Sequence, residues 1–297
     1  MPTIKKIIIF CGTLAVLLSG FDFVSGKIIL QTSENPAALN QQQVYLNKLK
    51  ITGLILSSLT LRWNDAPDQL IAQRKNLRAL KQNVPQLYLQ IDLAEDLPKW
   101  DSADWAIVED NIQEIAREAR RSGITGIILN TDSGQLASRN YYSNNQLWKP
   151  EYNKRYADIS DAFAEQILYQ RGRELRQVIE AVSPRARIAV TPAGPAEPAT
   201  ANYAYWHHFV NGLFSAGQNN TLFASVRANP EQTTALAAQS LSGLLETRIQ
   251  AGIIPVYRPQ SQPDEKILQA LQDNNSVYVL QAKFADLLQF LAGNVII

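Results

Sequence analysis

The chain is nearly without thiols and imidazoles: it holds one cysteine, Cys11, and two histidines, His207 and His208. Cys11 lies inside an N-terminal apolar run, so the rest of the chain has no cysteine at all. That excludes disulfides, iron–sulfur clusters, thiolate zinc sites and a cysteine nucleophile from it. The histidines are adjacent in YAYWHHF. In a strand they would point to opposite faces, and in a helix they would diverge by about 100 degrees, so one metal ion does not use both. No metal is expected. A Gly-x-Ser-x-Gly elbow is missing too, because Gly212-Leu-Phe-Ser215-Ala-Gly217 has the wrong spacing. With no Walker loop and no Gly-x-Gly-x-x-Gly fingerprint, nucleotide-driven and nicotinamide-dependent chemistry is disfavoured, and no cofactor is expected.

Excess charge is also lacking. Lys and Arg number 28 against 27 Asp and Glu, a formal net charge of +1. No basic run argues for nucleic acid or for an anionic membrane surface, so a neutral or weakly charged partner is expected.

What is present begins with a leader. Lys5 and Lys6 supply a positive start, Ile7 to Leu18 is an apolar run of 12, and small residues follow at Ser19, Gly20, Ser25 and Gly26. Residues 1–26 therefore read as an export signal or anchor, which places the protein in the periplasm, outside the cell, or on a membrane through this segment alone. The run is short against the roughly 20 apolar residues that span a bilayer, although Ser19 to Val24 could extend it. Cleavage and retention both stay open. LLSGF at 17 to 21 has the look of a lipoprotein box with Phe21 where the lipidated cysteine would stand, so lipidation is not expected.

Residues 27–44 read as a polar lead-in, with QTSENPAALNQQQ from Gln31 to Gln43 at its centre, and 45–297 as one domain. A chain of 297 residues with 46% hydrophobic content is long enough for a single barrel of about 250 residues. Eight short apolar runs are candidate strands: Ile51 to Ser57, Leu87 to Asp92, Ile124 to Asn130, Arg187 to Thr191, Val210 to Phe214, Leu222 to Val226, Ile253 to Tyr257 and Val277 to Gln281. Helical stretches lie between them at Asp65 to Leu80, Asp104 to Arg121 and Ser160 to Val182. In the second of these Val108, Ile112, Ile115 and Ala119 form one stripe, with Asp101 or Ser102 able to cap its start and Gly123 to end it. Strand and helix in alternation predict an α/β fold, a single (β/α)8 TIM-type barrel. Distortion or incompleteness around the fifth and sixth strands stays open, since only Ser215 to Thr221 separate them and a parallel crossover needs about a dozen residues.

Four stretches, KITGLILSS at 50–58, WAIVEDNIQEIAREARRSGITGIILNTD at 105–132, FAEQILYQRGRELRQVIEAVSPRARIAV at 163–190 and YWHHFVNGLFSAG at 205–217, together resemble exported glycoside-hydrolase-like TIM-barrel proteins. The resemblance implies an acidic group at the end of the third strand, where this chain has Asn130-Thr131-Asp132-Ser133 with a single carboxylate. It also implies an acid near the sixth strand, where Ser225 and Arg227 stand instead.

Reacting groups of such barrels gather at the C-terminal strand ends. Glycoside hydrolysis uses two carboxylates about 5 Å or about 6.5 to 9.5 Å apart. Asp132 and Asp92 close neighbouring candidate strands and form the candidate catalytic pair, while Asp65 and Asp68 read as caps of the next helix. The long segment Ser133 to Asp158 carries Tyr141, Tyr142, Trp148, Tyr152 and Tyr156, and Trp63, Asn64, Arg227, Tyr257 and Arg258 stand after other strands. These are the candidate ligand-binding residues. Two expectations follow: carboxylate acid/base chemistry on a carbohydrate, or non-catalytic glycan binding on a degenerate hydrolase barrel.

Overall fold

In the computed structural model the described residues are 27–48, 51–93, 97–98, 101–130, 161–191, 204–215, 220–225, 251–257 and 277–281. Along the chain come β1 (Lys27–Thr32), α1 (Pro36–Gln41), α2 (Gln43–Lys48), β2 (Ile51–Leu56), a 3-10 turn (Ser57–Leu59), β3 (Leu61–Arg62), α3 (Asp68–Asn83), β4 (Gln86–Asp92) and α4 (Trp105–Arg121). They are followed by β5 (Gly126–Asn130), α5 (Asp161–Val182), β6 (Arg187–Thr191), α6 (Ala204–Phe214), β7 (Asn220–Ser225), β8 (Ala251–Tyr257) and β9 (Val277–Gln281).

All pairings are parallel, and they form a ring: β1 lies between β2 and β9, β2 also pairs with β4, and β4 through β9 pair in succession. Eight strands thus close a TIM-type barrel, while the two-residue β3 adds to the C-terminal end of β4 outside the ring. The seams at β2–β4 and β8–β9 are short.

Side chains alternate along each strand between the barrel interior and the helix layer. Ile29, Ile55, Tyr88, Ile128 and Ala189 fill the inside as a separate apolar cluster. The residues between them, among them Leu30, Leu54, Leu89, Leu129 and Val190, join the larger core under the helices. Gly126 makes room for the Tyr88 ring, because a Cβ there would stand 2.5 Å from Tyr88 Cε1. Gly126→Ala should therefore overpack the interior and cost about 1–3 kcal/mol, read as a lower urea midpoint at unchanged slope.

The stripe predicted for α4 is buried throughout, with Val108, Ile112 and Ile115 at 0% exposure. Ser102 Oγ accepts from the Asp104 amide at 3.1 Å just before the helix. Gly123 ends it with a φ of 88°, a conformation that glycine adopts without steric penalty. Between α3 and α4 the Glu118 carboxylate, 3% exposed, is held by Arg74 on one side and by Arg121 Nη1 at 2.5 Å on the other. Burial pushes its pKa up, but hydrogen bonds from Arg121 and Arg74 outweigh that and hold it below the ordinary value. Arg171 lies over the Trp105 ring at 5.4 Å, tying α5 to α4.

Two expectations are corrected. Val210 to Phe214 is not a strand but the end of α6, and Phe209, Val210, Leu213 and Phe214 are all buried. It supplies the crossover helix that the fifth-to-sixth connection lacked, and Leu222 to Ser225 of the next run falls within β7. The lead-in 27–44 instead opens with β1, whose Ile29 and Leu30 are buried, and its polar part holds α1, capped by Asn35 Oδ1 at 2.8 Å from the Ala38 amide. α5 and α6 touch backbone to backbone: a Cβ on Gly212 would overlap the Tyr169 carbonyl oxygen, and one on Gly172 would overlap that of Phe209.

Candidate functional site

Parallel strands bring their C-terminal ends to one face, and polar residues collect there. Along β4 the inward positions run Tyr88, Gln90, Asp92, so the barrel interior turns from apolar to polar toward this end. Asp92 and Asn130 are register partners on β4 and β5. Asn130 Nδ2 donates to Asp92 Oδ1 at 2.6 Å, and Gln90 Nε2 donates to the same oxygen at 3.2 Å. Asn130 is 8% exposed, whereas Asp92 is half-buried. Asp92 Oδ2 takes no hydrogen bond from the described residues. Nearby on the same face, Gln31 Nε2 donates to Ser57 Oγ at 3.3 Å. By backbone register Thr191 follows beside Asn130.

Around Asp92 the described part of this mouth therefore offers one carboxylate held by two amides. The amides orient Asp92 and occupy one of its oxygens, and the other has no partner among the described residues.

The remaining expected residues are placed as follows. Trp63 is 7% exposed and packed in the helix-side core, with its amide donating to the Asp92 carbonyl at 3.0 Å. Its ring is thus a wall of the fold and not a stacking surface. Asn64 is exposed in the turn after β3. Asp65 Oδ2 accepts from the Arg62 amide at 2.7 Å, closing that turn, and Asp68 stands in the first turn of α3 without a side-chain cap. Tyr257 is the last residue of β8, paired with Leu280. Asp132, Tyr141, Tyr142, Trp148, Arg227 and Arg258 lie outside the described residues. His208 sits on α6 with Nε2 3.6 Å from Glu165 Oε1 on α5. No group of His, Cys, Asp and Glu able to hold a metal occurs among the described residues, and none of their helices is long and apolar enough to cross a membrane.

Asn130 and Gln90 were not among the expected site residues. Their signal was the period of two in LYLQID and the amide ending GIILN, read as strand interior and not as site.

No family model and no curated protein matches the chain. Solved structures do. One is a morphinone reductase, 12% identical over 86% of this chain and 82% of that one, with a TM-score of 0.49. Another is an old yellow enzyme homologue from Zymomonas mobilis, 9% identical over 86% of this chain and 84% of that one, with a TM-score of 0.48. Such distant likeness extends to the barrel and no further. Neither title names a glycoside hydrolase, so the carbohydrate chemistry expected from the resemblance, hydrolytic or binding, finds no support among them and is not carried further. Among the described residues the side chain held against Asp92 from the neighbouring strand is the Asn130 amide, and Asp132, its expected partner, lies outside them.

Proposed function

We propose that the C-terminal mouth of the barrel binds a small polar molecule through Asp92, with Asn130 and Gln90 as positioning residues. The observation that carries this reading is the division of labour on one carboxylate: Oδ1 accepts from both amides, and Oδ2 has no partner among the described residues. A carboxylate oxygen accepts and does not donate. The complementary ligand therefore presents a hydrogen-bond donor, held most strongly when it is cationic, as an ammonium or a guanidinium is. A half-buried position strengthens such a charge-assisted bond over one in open water.

Charge-assisted bonds contribute about 1.5–3 kcal/mol, so Asp92→Asn should weaken binding by roughly ten- to a hundredfold. The check is a thermal-shift screen of primary amines, guanidines and primary amides, followed by calorimetry of any that raise the melting temperature. The variant should melt as the parent does when free and lose the shift. A ligand-induced shift of the same size in both proteins, or no shift in the parent with any of these compounds, would overturn the reading.

A further inference from the structure

At the opposite end of the barrel, the connections from α3 to β4, α4 to β5 and α5 to β6 gather arginines. Arg78, Arg117, Arg120 and Arg121 line one depression of about 560 Å³ together with Gly123 and Val182. Arg78, Arg120 and Arg121 are exposed. Their partners leave most of their donors unused: Arg78 Nε donates to the Arg121 carbonyl at 2.9 Å, and Arg120 Nη1 donates to the Val182 carbonyl at 2.7 Å. Lys81 adjoins the group, its pKa lowered first by burial and then by Arg187. Two acids face these cations, Glu114 beside Arg117 and the buried Glu118 shared by Arg121 and Arg74. The balance is strongly positive.

The topology adds a second observation. All eight strands are parallel, so the chain before Lys27 departs from this same end of the barrel. That preceding chain carries Lys5, Lys6 and the apolar run Ile7 to Leu18. A single weak apolar anchor holds a membrane reversibly, and a basic surface beside it is the usual second attachment. We infer that the N-terminal face of the barrel docks on anionic phospholipid through Arg78, Arg117, Arg120 and Arg121, beside the membrane held by the apolar segment. Linear sequence hides this surface, because its arginines come from two helices and the net charge of the chain is only +1.

The test is labelling of arginine by phenylglyoxal, read residue by residue by mass spectrometry, on the full chain in nanodiscs. Neutral phosphatidylcholine discs are compared with discs containing phosphatidylglycerol, with exposed Arg62 on the other end of the barrel as internal reference. Each basic residue near an anionic surface contributes about 1 kcal/mol, roughly fivefold, so labelling of the four arginines relative to Arg62 should slow about tenfold or more in the anionic discs. Raising the salt to about 1 M, where the screening length is about 3 Å, should abolish the difference. An R78Q/R117Q variant should lose the slowing at Arg120, and R78K/R117K should keep it, with the Arg62 rate and melting temperature reporting on folding. Equal labelling in both discs, slowing that survives salt, or failure to associate with either disc overturns the proposal. So does equal protection in neutral discs by added RNA, which would make the partner a nucleic acid.

Discussion

Glu118→Gln should lower the stability of the protein by about 1–3 kcal/mol, the scale of hydrogen bonds to a charged group, because Arg74 and Arg121 remain partly open to water. The carboxylate is 3% exposed and its two oxygens are divided between Arg74 and Arg121. Glutamine keeps the shape but is neutral and offers one acceptor, so both guanidinia lose their counter-charge and one also loses its hydrogen bond. In a chain of this size the loss corresponds to a melting temperature lower by about 5 °C. The pH dependence has a definite sign. The folded pKa is depressed, so the contribution is present above the unfolded carboxylate value of about 4.3 and is lost as pH falls through the folded one. Melting curves of parent and variant should therefore differ most near neutral pH and converge in acid. A gap that stays constant down to pH 3 would show that the charge of Glu118 is not what matters.

The second large effect is expected at Gly212. A Cβ there would overlap the Tyr169 carbonyl, and the reciprocal Gly172 faces Phe209 and the Leu213 amide, the latter at 2.7 Å from a built Cβ. In both cases the obstacle is backbone, which cannot rotate away as a side chain can. Alanine gains about 1 kcal/mol over glycine in helix propensity, and an isolated helix would be strengthened. Here the helices must separate instead, loosening the contacts of buried Phe209, Val210, Leu213 and Phe214 with α5. The net cost of Gly212→Ala should be about 2–4 kcal/mol. Once the helices have moved apart, Gly172→Ala should add less than its own separate cost, a non-additivity that a double-mutant cycle measures. Gly212→Ala at parental stability would mean that the two backbones do not touch.

The parts of the fold legible in the sequence were those with a clean period. Val108, Ile112, Ile115 and Ala119 mark one face of α4, and Gly123 marks its end. The doublet His207–His208 and the run from Val210 to Phe214 carry no such period, because α6 is wedged against α5 and buries most of its circumference near its end. A short apolar run of this kind fits strand and buried helix equally. β1 was obscured by its neighbours: KIILQT follows an apolar leader and precedes a polar stretch, and only its pairing with β2 and β9 reveals it as a wall of the barrel. At the site, Asp92 was legible as an acid at a strand end. Its partner was not, because register decides what faces it, and register places Asn130 there.

Closure of the ring has a consequence for biogenesis. β1 begins at Lys27, and its second neighbour, β9, begins at Val277, a separation of 277 − 27 = 250 residues. At roughly 5–20 residues per second, translation needs on the order of ten to fifty seconds to supply that neighbour. Through that interval one edge of the first strand is unsatisfied on the ribosome, so the ring cannot close until synthesis is nearly complete.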